Sequence, residues 1–275
     1  MLIKRIITGV IGIMMTIYVV SYGSWLFGTA IVLLALVAWH EFCKAFAHME
    51  TKLCRNIGFL AIGLLILCFW FGNSDEAIAV LMIIVLTVLA KTVFFHERFS
   101  IQEACISVCG IMYIALPFSH LLLLRFVNTP EIVQTSLGNM ASGAAFIWLA
   151  FIGTWASDTF AFFVGTKFGK NKLCPKISPK KSREGFIGGI LGTILSLSIA
   201  GSIFSFSLLH MVILGTMIAI LGTIGDLVES SFKRLTGIKD SGEILPGHGG
   251  VLDRFDSIMF TVPFVYYYIK IFVIY

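Results

Sequence analysis

Long apolar runs, separated by short polar segments, fill most of the 275-residue sequence. Hydrophobic residues make up 58% of the chain, which is more than a soluble core of this size can bury. An apolar run of roughly 18 to 25 residues is long enough to cross a bilayer as an α-helix. The pattern therefore predicts an all-α, polytopic integral membrane protein with about nine transmembrane helices. The predicted helices are residues 6–22, 25–43, 57–73, 77–95, 104–126, 143–165, 186–204, 208–230 and 257–274.

The charges between these runs predict how the chain is oriented. Nearly all of the 20 Lys and Arg residues fall before the first run or in alternate connecting segments, with Arg125 and Lys270 as the exceptions. The remaining connecting segments are neutral or acidic. Because positive residues favour the cytoplasmic side, we expect a cytoplasmic N-terminus, a C-terminus on the opposite side and an odd number of spans. Topology then accounts for the formal net charge of +5, which gives no reason to expect nucleic-acid binding.

The segment of residues 230–256 is densely charged in a chain that is otherwise mostly apolar, and such charge beside a membrane indicates chemistry. Its cations suit an anionic ligand, its glycines offer bare backbone N–H groups, and its carboxylates are hard oxygen ligands. Together these features suggest Mg²⁺ and phosphate. The candidates in this segment are Lys233, Arg234, Lys239, Asp240, His248, Gly249, Gly250, Asp253, Arg254 and Asp256.

A set of polar residues just before this segment shares one face of the eighth predicted helix. Asp226, Glu229, Ser230 and Lys233 are spaced i, i+3, i+4 and i+7. Asp158 lies at a comparable depth in the sixth predicted helix. Carboxylates at this depth need cations between them, or they would repel one another and become protonated. Lys or Arg could provide these cations in a purely structural network, and a divalent metal is the alternative.

A second basic block, residues 178–189, reads SPKKSREGFIGG. If both charged blocks face the cytoplasm, Ser178, Lys180 and Lys181 form the other wall of the same phosphate site. The other basic residues of this connecting segment are interpreted as topology signals that attract anionic lipid. They are Lys167, Lys170, Lys172 and Lys176.

The chain divides by chemistry into an N-terminal transmembrane scaffold, residues 1–142, and a C-terminal catalytic region, residues 143–275. In the scaffold the adjacent polar residues His40 and Glu41 stand out at the end of the second predicted helix. They are either interfacial polar residues at a helix end or an accessory contact. Small-residue faces in the sixth and seventh helices suit close helix packing, and they would also permit a homodimer.

The order of residues from Ser230 to Asp256 resembles a known family signature. It reads S-x-F-K-R-x4-K-D-x-G-x2-L-P-x-H-G-G-V-x-D-R-F-D and is similar to that of phosphatidate cytidylyltransferases, or CDP-diacylglycerol synthases. The block of residues 178–189 is similar to another stretch of the same family, in which an aromatic residue usually stands where this chain has Arg183. A signature with this many fixed positions is far more specific than a lone glycine motif.

The resemblance implies transfer of a cytidylyl group from CTP to phosphatidate, with Mg²⁺ as cofactor and a second, monovalent ion left open. It also implies a multi-pass protein of the bacterial inner (cytoplasmic) membrane, with its active site facing the cytoplasm and no nucleic-acid partner. The catalytic candidates are Asp226, Asp253, Lys233, Arg234, Lys239, Asp240, His248 and Arg254. The substrate-binding candidates are Ser178, Lys180, Lys181, Ser230, Gly249 and Gly250. The metal-binding candidates are Asp226, Asp253, Glu229, Asp256 and Asp158.

Two other functions stay open at the level of the sequence. A CTP-dependent kinase of a polyprenol or other lipid alcohol would need the same nucleotide and metal, but it would transfer the γ-phosphoryl group. A transporter would carry its charges near the midplane on broken helices in paired halves. Here the charges cluster on one side and no internal repeat is visible.

Overall fold

A computed structural model describes residues 2–127, 132–135, 138–242 and 249–273, and for residues 2–6 and 74 it describes the backbone only. Within these ranges the chain forms nine α-helices and four short β-strands. The helices are α1 (Leu2–Tyr22), α2 (Ser24–Ala47), α3 (Arg55–Trp70), α4 (Ser74–Phe94), α5 (Ile101–Arg125), α6 (Ser142–Phe168), α7 (Arg183–Ile203), α8 (Leu208–Thr236) and α9 (Leu252–Phe272). The strands are β1 (Ile132–Thr135), β2 (Gly138–Ala141), β3 (Lys172–Cys174) and β4 (Ser178–Ser182).

Each of the nine predicted apolar runs coincides with one helix, which confirms the all-α, polytopic class. Among the described residues, six helices are long and apolar enough to cross a membrane, namely α2, α4, α5, α6, α7 and α8. Shorter apolar stretches lie in α1 and α3. The number of spans and the orientation of the N-terminus stay predictions. The prediction ended the eighth helix at residue 230, whereas α8 continues through the basic residues to Thr236.

The strands form two antiparallel hairpins, β1–β2 and β3–β4, which the sequence did not predict. In the second hairpin Lys172 pairs with Ser182, and Cys174 pairs with Ser178. Strands of three to five residues give too short a pattern of alternation to be told from a loop. The second hairpin carries the SPKK sequence, which was predicted to bind phosphate.

By their contacts, residues of the chain group into two compact units. The first unit comprises Met1–Leu123 and Lys233–Arg254, and the second comprises Leu124–Phe232 and Phe255–Tyr275. The charged segment after residue 233 thus groups with the N-terminal helices, although the sequence placed it in a separate C-terminal region. The functional division at residue 142 is not tested by this grouping and stays a prediction.

In the first unit, a buried tryptophan fixes the contact between α2 and α3. Trp39 is fully buried, and its indole N–H donates to the carbonyl oxygen of Arg55 at 2.9 Å. A Cβ at Gly58 would overlap the indole, so the glycine permits the close approach. Phe42 stacks on Trp39 with ring centroids 5.8 Å apart. This packing holds the end of α2, where His40 and Glu41 lie.

In the second unit, α6 and α7 pack through small residues. A Cβ at Gly189 would contact Ser157 and Ala161, and a Cβ at Gly185 would crowd Gly165. This confirms the prediction that the small-residue faces of these helices serve close packing. The contact fixes the depth of α6 against the start of α7, and it thereby positions Asp158 relative to the β3–β4 hairpin.

Candidate functional site

A cavity of about 500 Å³ lies in the second unit between α6, α7, α8 and the β3–β4 hairpin. Asp158 from α6, Lys172 from β3, and Lys180 and Lys181 from β4 contribute charged side chains to its wall, as does Asp226 from α8. Its volume is in the range of ordinary small-molecule sites. The other lining residues are Ala161, Phe162, Gly165, Thr166, Leu173, Ser182, Gly185, Phe186 and Thr223.

Two of the predicted site residues form an ion pair in this cavity. The Nζ atom of Lys181 lies 2.7 Å from Oδ2 of Asp226, and the two side chains are 25% and 31% exposed. The hydroxyl of Ser230 donates to Oδ1 of Asp226 at 3.2 Å, one turn further along α8. The cation that the sequence required beside Asp226 is therefore a lysine of the SPKK sequence in this structure.

The β3–β4 hairpin is anchored at both ends. At its exit, the buried Ser182 caps α7, since its hydroxyl accepts from the backbone N–H of Gly185 at 3.1 Å. At its entry, the carboxylate of Glu184 accepts from the side-chain amide of Asn171 at 2.8 Å and from the backbone N–H of Lys170 at 3.1 Å. These contacts are consistent with a fixed presentation of the hairpin lysines towards the cavity.

Two more residues of the hairpin segment, Lys172 and Ser178, lie in its two strands. Lys172 lines the cavity, although its position in a basic connecting segment was interpreted as a topology signal. Ser178 begins β4, but it is not among the described residues that line the cavity. No sequence pattern places Lys172 at the cavity, because this position depends on the pairing of β3 with β4, which was not predicted.

In the first unit, Asp253 is the centre of a second charged cluster. Its Oδ1 lies 2.9 Å from Nζ of Lys233. Its Oδ2 accepts from the backbone N–H of Ser241 at 2.9 Å, from the hydroxyl of Ser241 at 3.0 Å and from the backbone N–H of Gly250 at 2.7 Å. The side chain is only 6% exposed. Both carboxylate oxygens are thus occupied by protein donors, and Gly250 directs its N–H towards Asp253.

Glu41 also belongs to this cluster, and the sequence did not identify it as a site residue. It is 1% exposed, and it accepts from the backbone N–H groups of Val251 at 3.0 Å and Leu252 at 2.9 Å. Its Oε2 lies 3.4 Å from the hydroxyl of Ser241. The polar pair His40 and Glu41 was visible in the sequence. Nothing in the sequence, however, indicates a partner 210 residues away.

The remaining cations of the signature lie on the surface of the first unit. Arg234, Lys239 and Arg254 are exposed, as is Asp240. Gly249 has a φ of 84°, in the left-handed region that favours glycine. The three cations are therefore in contact with solvent. Their catalytic roles stay predictions.

Two further predicted residues, Glu229 and Asp256, lie in the second unit. Glu229 is buried in α8 at 3% exposure. Asp256 accepts from the backbone N–H of Ser257 at 2.7 Å, and its carbonyl lies so close to Gly225 that a Cβ there would overlap it. This close approach brings Asp256 beside the turn of α8 that carries Asp226. His248 lies outside the described residues.

The carboxylates of the cavity fit a magnesium ion that is shared with a phosphate ligand. No group of three or more His, Cys, Asp and Glu side chains within the described ranges can hold a metal ion by itself. Asp158 and Asp226 nevertheless line one cavity, and Mg²⁺ is usually bound by one or two carboxylates together with substrate phosphates. Three lysines on the same wall can neutralise the rest of a polyphosphate.

Comparison with known proteins gives matches along the full length of the chain. The sequence profile of the Cytidylyltransferase family matches residues 3–272. The chain is 31% identical over 275 residues to a phosphatidate cytidylyltransferase of Bacillus subtilis (strain 168), covering 98% of each protein. It is 34% identical over 268 residues to one of Staphylococcus haemolyticus, covering 94% of this chain and 95% of the relative. It is 39% identical over 178 residues to one of Staphylococcus aureus (strain COL), covering 64% and 63%.

Proposed function

Since this chain belongs to the cytidylyltransferase family, we propose that it transfers the cytidylyl group of CTP to phosphatidate, giving CDP-diacylglycerol and pyrophosphate. The observation that carries this proposal is the similarity over 98% of the chain to a bacterial phosphatidate cytidylyltransferase. The cavity of the second unit supports it, because carboxylates and lysines are the groups that nucleotidyl transfer requires. The protein would act as a nucleotidyltransferase in phospholipid biosynthesis.

The reaction needs positioning and charge neutralisation more than a strong base. A phosphate oxygen of phosphatidate attacks the α-phosphorus of CTP, and a new P–O bond forms. The bond from the α-phosphorus to the oxygen bridging it to the β-phosphorus breaks, and that oxygen leaves with pyrophosphate. The nucleophile is already an anion, so no side chain has to remove a proton from it. The enzyme must instead hold two anions in line and stabilise the charge that develops.

The lysines of the β3–β4 hairpin are suited to this task. Lys172, Lys180 and Lys181 line the cavity and can bind the triphosphate or the lipid phosphate. Lys181 would exchange its contact with Asp226 for a phosphate oxygen when substrate binds. This exchange is favoured by the partial exposure of the pair, because an exposed ion pair is worth little by itself.

Mg²⁺ would be held in the cavity by Asp158 and Asp226 together with phosphate oxygens of the substrate. When bound, it supplies charge neutralisation at the triphosphate. Asp226 would be available to the ion once Lys181 had exchanged its contact with this carboxylate for a phosphate oxygen. Ligand roles for Asp253, Glu229 and Asp256, and a second, monovalent ion, stay predictions.

The signature residues of the first unit are proposed to assist the same reaction. Lys233, Arg234, Lys239 and Arg254 would bind phosphate oxygens, with Asp240 and His248 as further catalytic candidates. Asp253 restrains Lys233 directly through the ion pair at 2.9 Å. Asp253 also accepts hydrogen bonds from the backbone N–H groups of Ser241 and Gly250, which supports a role in holding the conformation of the signature residues in the first unit.

The protein is a multi-pass membrane protein with bacterial relatives. We place it in the bacterial inner (cytoplasmic) membrane with its active site facing the cytoplasm. This orientation rests on the one-sided distribution of Lys and Arg, and CTP is available on that side. A homodimer stays a prediction. The small residues of α6 and α7 are used for packing within the chain.

Pyrophosphate release by the purified protein in nanodiscs tests this proposal. We expect release only when CTP, Mg²⁺ and phosphatidate are all present. Diacylglycerol, which lacks the phosphate, is the matched lipid control and should give none. Formation of CDP and a phosphorylated lipid with diacylglycerol would favour a lipid-alcohol kinase, and no CTP turnover under any condition would contradict the proposal.

A further inference from the structure

Glu41 is a buried carboxylate that the proposed reaction does not use. It lies near the end of α2 and is 1% exposed. Burying a carboxylate is costly unless hydrogen bonds compensate for the lost water. Both of its oxygens accept backbone hydrogen bonds, from Val251 at 3.0 Å and from Leu252 at 2.9 Å. The cost is therefore offset by contacts with one short stretch of the signature.

These contacts hold the turn that leads into α9. The first N–H groups of a helix have no partner within the helix, and a carboxylate at that end also interacts favourably with the helix dipole. Glu41 supplies these acceptors from a different helix. Gly242 and Gly250 make room for it, since a Cβ at either position would overlap its carboxylate. Two glycines of the signature are thus explained by the presence of Glu41.

The same turn carries Asp253, and one hydroxyl lies between the two carboxylates. Oγ of Ser241 is 3.0 Å from Oδ2 of Asp253 and 3.4 Å from Oε2 of Glu41. Gly250, beside Glu41, donates its N–H to Asp253, and Asp253 in turn pairs with Lys233. Displacing the turn would therefore change the position of the Lys233 ammonium group.

We propose that Glu41 is a positioning residue for the transfer reaction: it fixes the turn of residues 249–252 and, through Asp253, the orientation of Lys233. It contacts neither phosphate nor metal in this role. The inference rests on the proposed function for its catalytic consequence. Its structural part, the restraint of the turn, can be measured without any turnover.

Glu41→Gln tests the inference with little change in side-chain volume. The amide keeps one oxygen acceptor, but its NH2 group would face a backbone N–H donor, so one hydrogen bond is lost. We expect kcat to fall roughly tenfold to a hundredfold because a small displacement of a reacting group is costly. KM for CTP and for phosphatidate should rise by a smaller factor than kcat falls, because Glu41 itself contacts neither substrate. Glu41→Asp, which keeps the charge but shortens the reach, should lie between this variant and the wild type.

Glu103→Gln is the matched control in the same unit. The Glu103 carboxylate accepts from the backbone N–H groups of Lys52 at 2.6 Å and Ser100 at 2.7 Å. It therefore restrains a helix start much as Glu41 does, with none of its described contacts in the signature. We expect Glu103→Gln to lower the thermal unfolding temperature and leave kcat at the wild-type value.

Hydrogen exchange of the peptide that contains residues 249–253 provides the readout that is independent of activity. Exchange should accelerate in Glu41→Gln and stay unchanged in Glu103→Gln. Wild-type kcat in Glu41→Gln, equal losses of kcat in both variants, or unchanged exchange in Glu41→Gln would each overturn the inference. A wild-type protein that releases no pyrophosphate would contradict the proposed function and the catalytic consequence together, and the exchange data would still decide whether Glu41 holds the turn.

Discussion

Lys181 and Asp226 neutralise each other in the cavity of the second unit, with Nζ of the lysine 2.7 Å from Oδ2 of the aspartate. The pair joins the SPKK hairpin to α8, two regions that the sequence singled out separately. Lys181 has the positive charge that can bind a phosphate of the nucleotide, and Asp226 has the negative charge that can bind Mg²⁺. In the proposed mechanism the ion pair would hold both groups in place before substrate binds, and Lys181 would then exchange Asp226 for a phosphate oxygen.

Removal of the lysine tests its contact with phosphate. Lys181→Ala should lower kcat/KM by roughly a hundredfold, because a cation aimed at the developing charge is lost. Lys181→Arg, which keeps the charge, should retain more of the activity. Lys176→Ala is the control, since this exposed lysine lies in the turn of the same hairpin and is not among the described residues that line the cavity. Steady-state kinetics that are equal for Lys181→Ala and the wild type would exclude the proposed role.

Removal of the carboxylate charge tests the metal proposal. Asp226→Asn should retain less than about a tenth of the wild-type activity, because a lost ligand weakens the stabilisation that the metal supplies. Asp158→Asn should raise the Mg²⁺ concentration required for half-maximal rate. The exposed Asp75 at the start of α4 provides the control, and Asp75→Asn should behave as the wild type. An unchanged Mg²⁺ dependence in both cavity variants would refute the assignment, provided that the proteins insert and purify normally.

Most of the fold could be predicted because it depends on local patterns. Nine apolar runs were sufficient to locate the nine helices of the described chain. The spacing of Asp226 and Ser230 likewise predicted their shared helical face, which the hydrogen bond at 3.2 Å confirms. The small residues of α6 and α7 correctly indicated close packing. In each of these cases the information lies within a few turns of one helix.

The contacts that the sequence did not reveal are not local. Glu41 is 210 residues from Val251, and no spacing rule connects them. Lys172 approaches the cavity through a hairpin too short to show strand periodicity. The sequence predicted Asp253 as a metal ligand, and no pattern in it indicated that four protein donor groups surround this carboxylate. A carboxylate that binds metal and one that organises a loop look the same in a sequence.

The position of Lys172 leads to a further prediction. Lys172→Ala should raise the KM for CTP or phosphatidate, because the side chain lines the same wall as Lys181. A change of roughly three- to tenfold is expected for a charge that binds substrate without being aimed at the transition state. Steady-state kinetics of Lys172→Ala and Lys176→Ala, measured side by side, test whether Lys172 binds substrate. If the two variants are indistinguishable, Lys172 is a topology signal, as its sequence position alone indicates.

The orientation of the chain can be measured with single cysteines in a cysteine-free background. A membrane-impermeant thiol reagent should label Lys176→Cys from the cytoplasmic side and Gln134→Cys from the opposite side. Both positions are exposed, the first in the β3–β4 hairpin and the second in β1. Labelling of the two cysteines from the same side, or in the reverse order, would contradict the predicted topology and the cytoplasmic active site.

The central claim is that the protein transfers the cytidylyl group of CTP to phosphatidate. Following the phosphorus atoms of CTP tests this claim most directly. Wild-type protein in nanodiscs that contain phosphatidate is supplied with CTP labelled at the α-phosphorus and, separately, at the γ-phosphorus. Cytidylyl transfer predicts that the α label enters the lipid and the γ label appears in pyrophosphate. Asp226→Asn should give neither product. Entry of the γ label into the lipid, with CDP as the second product, would contradict the account.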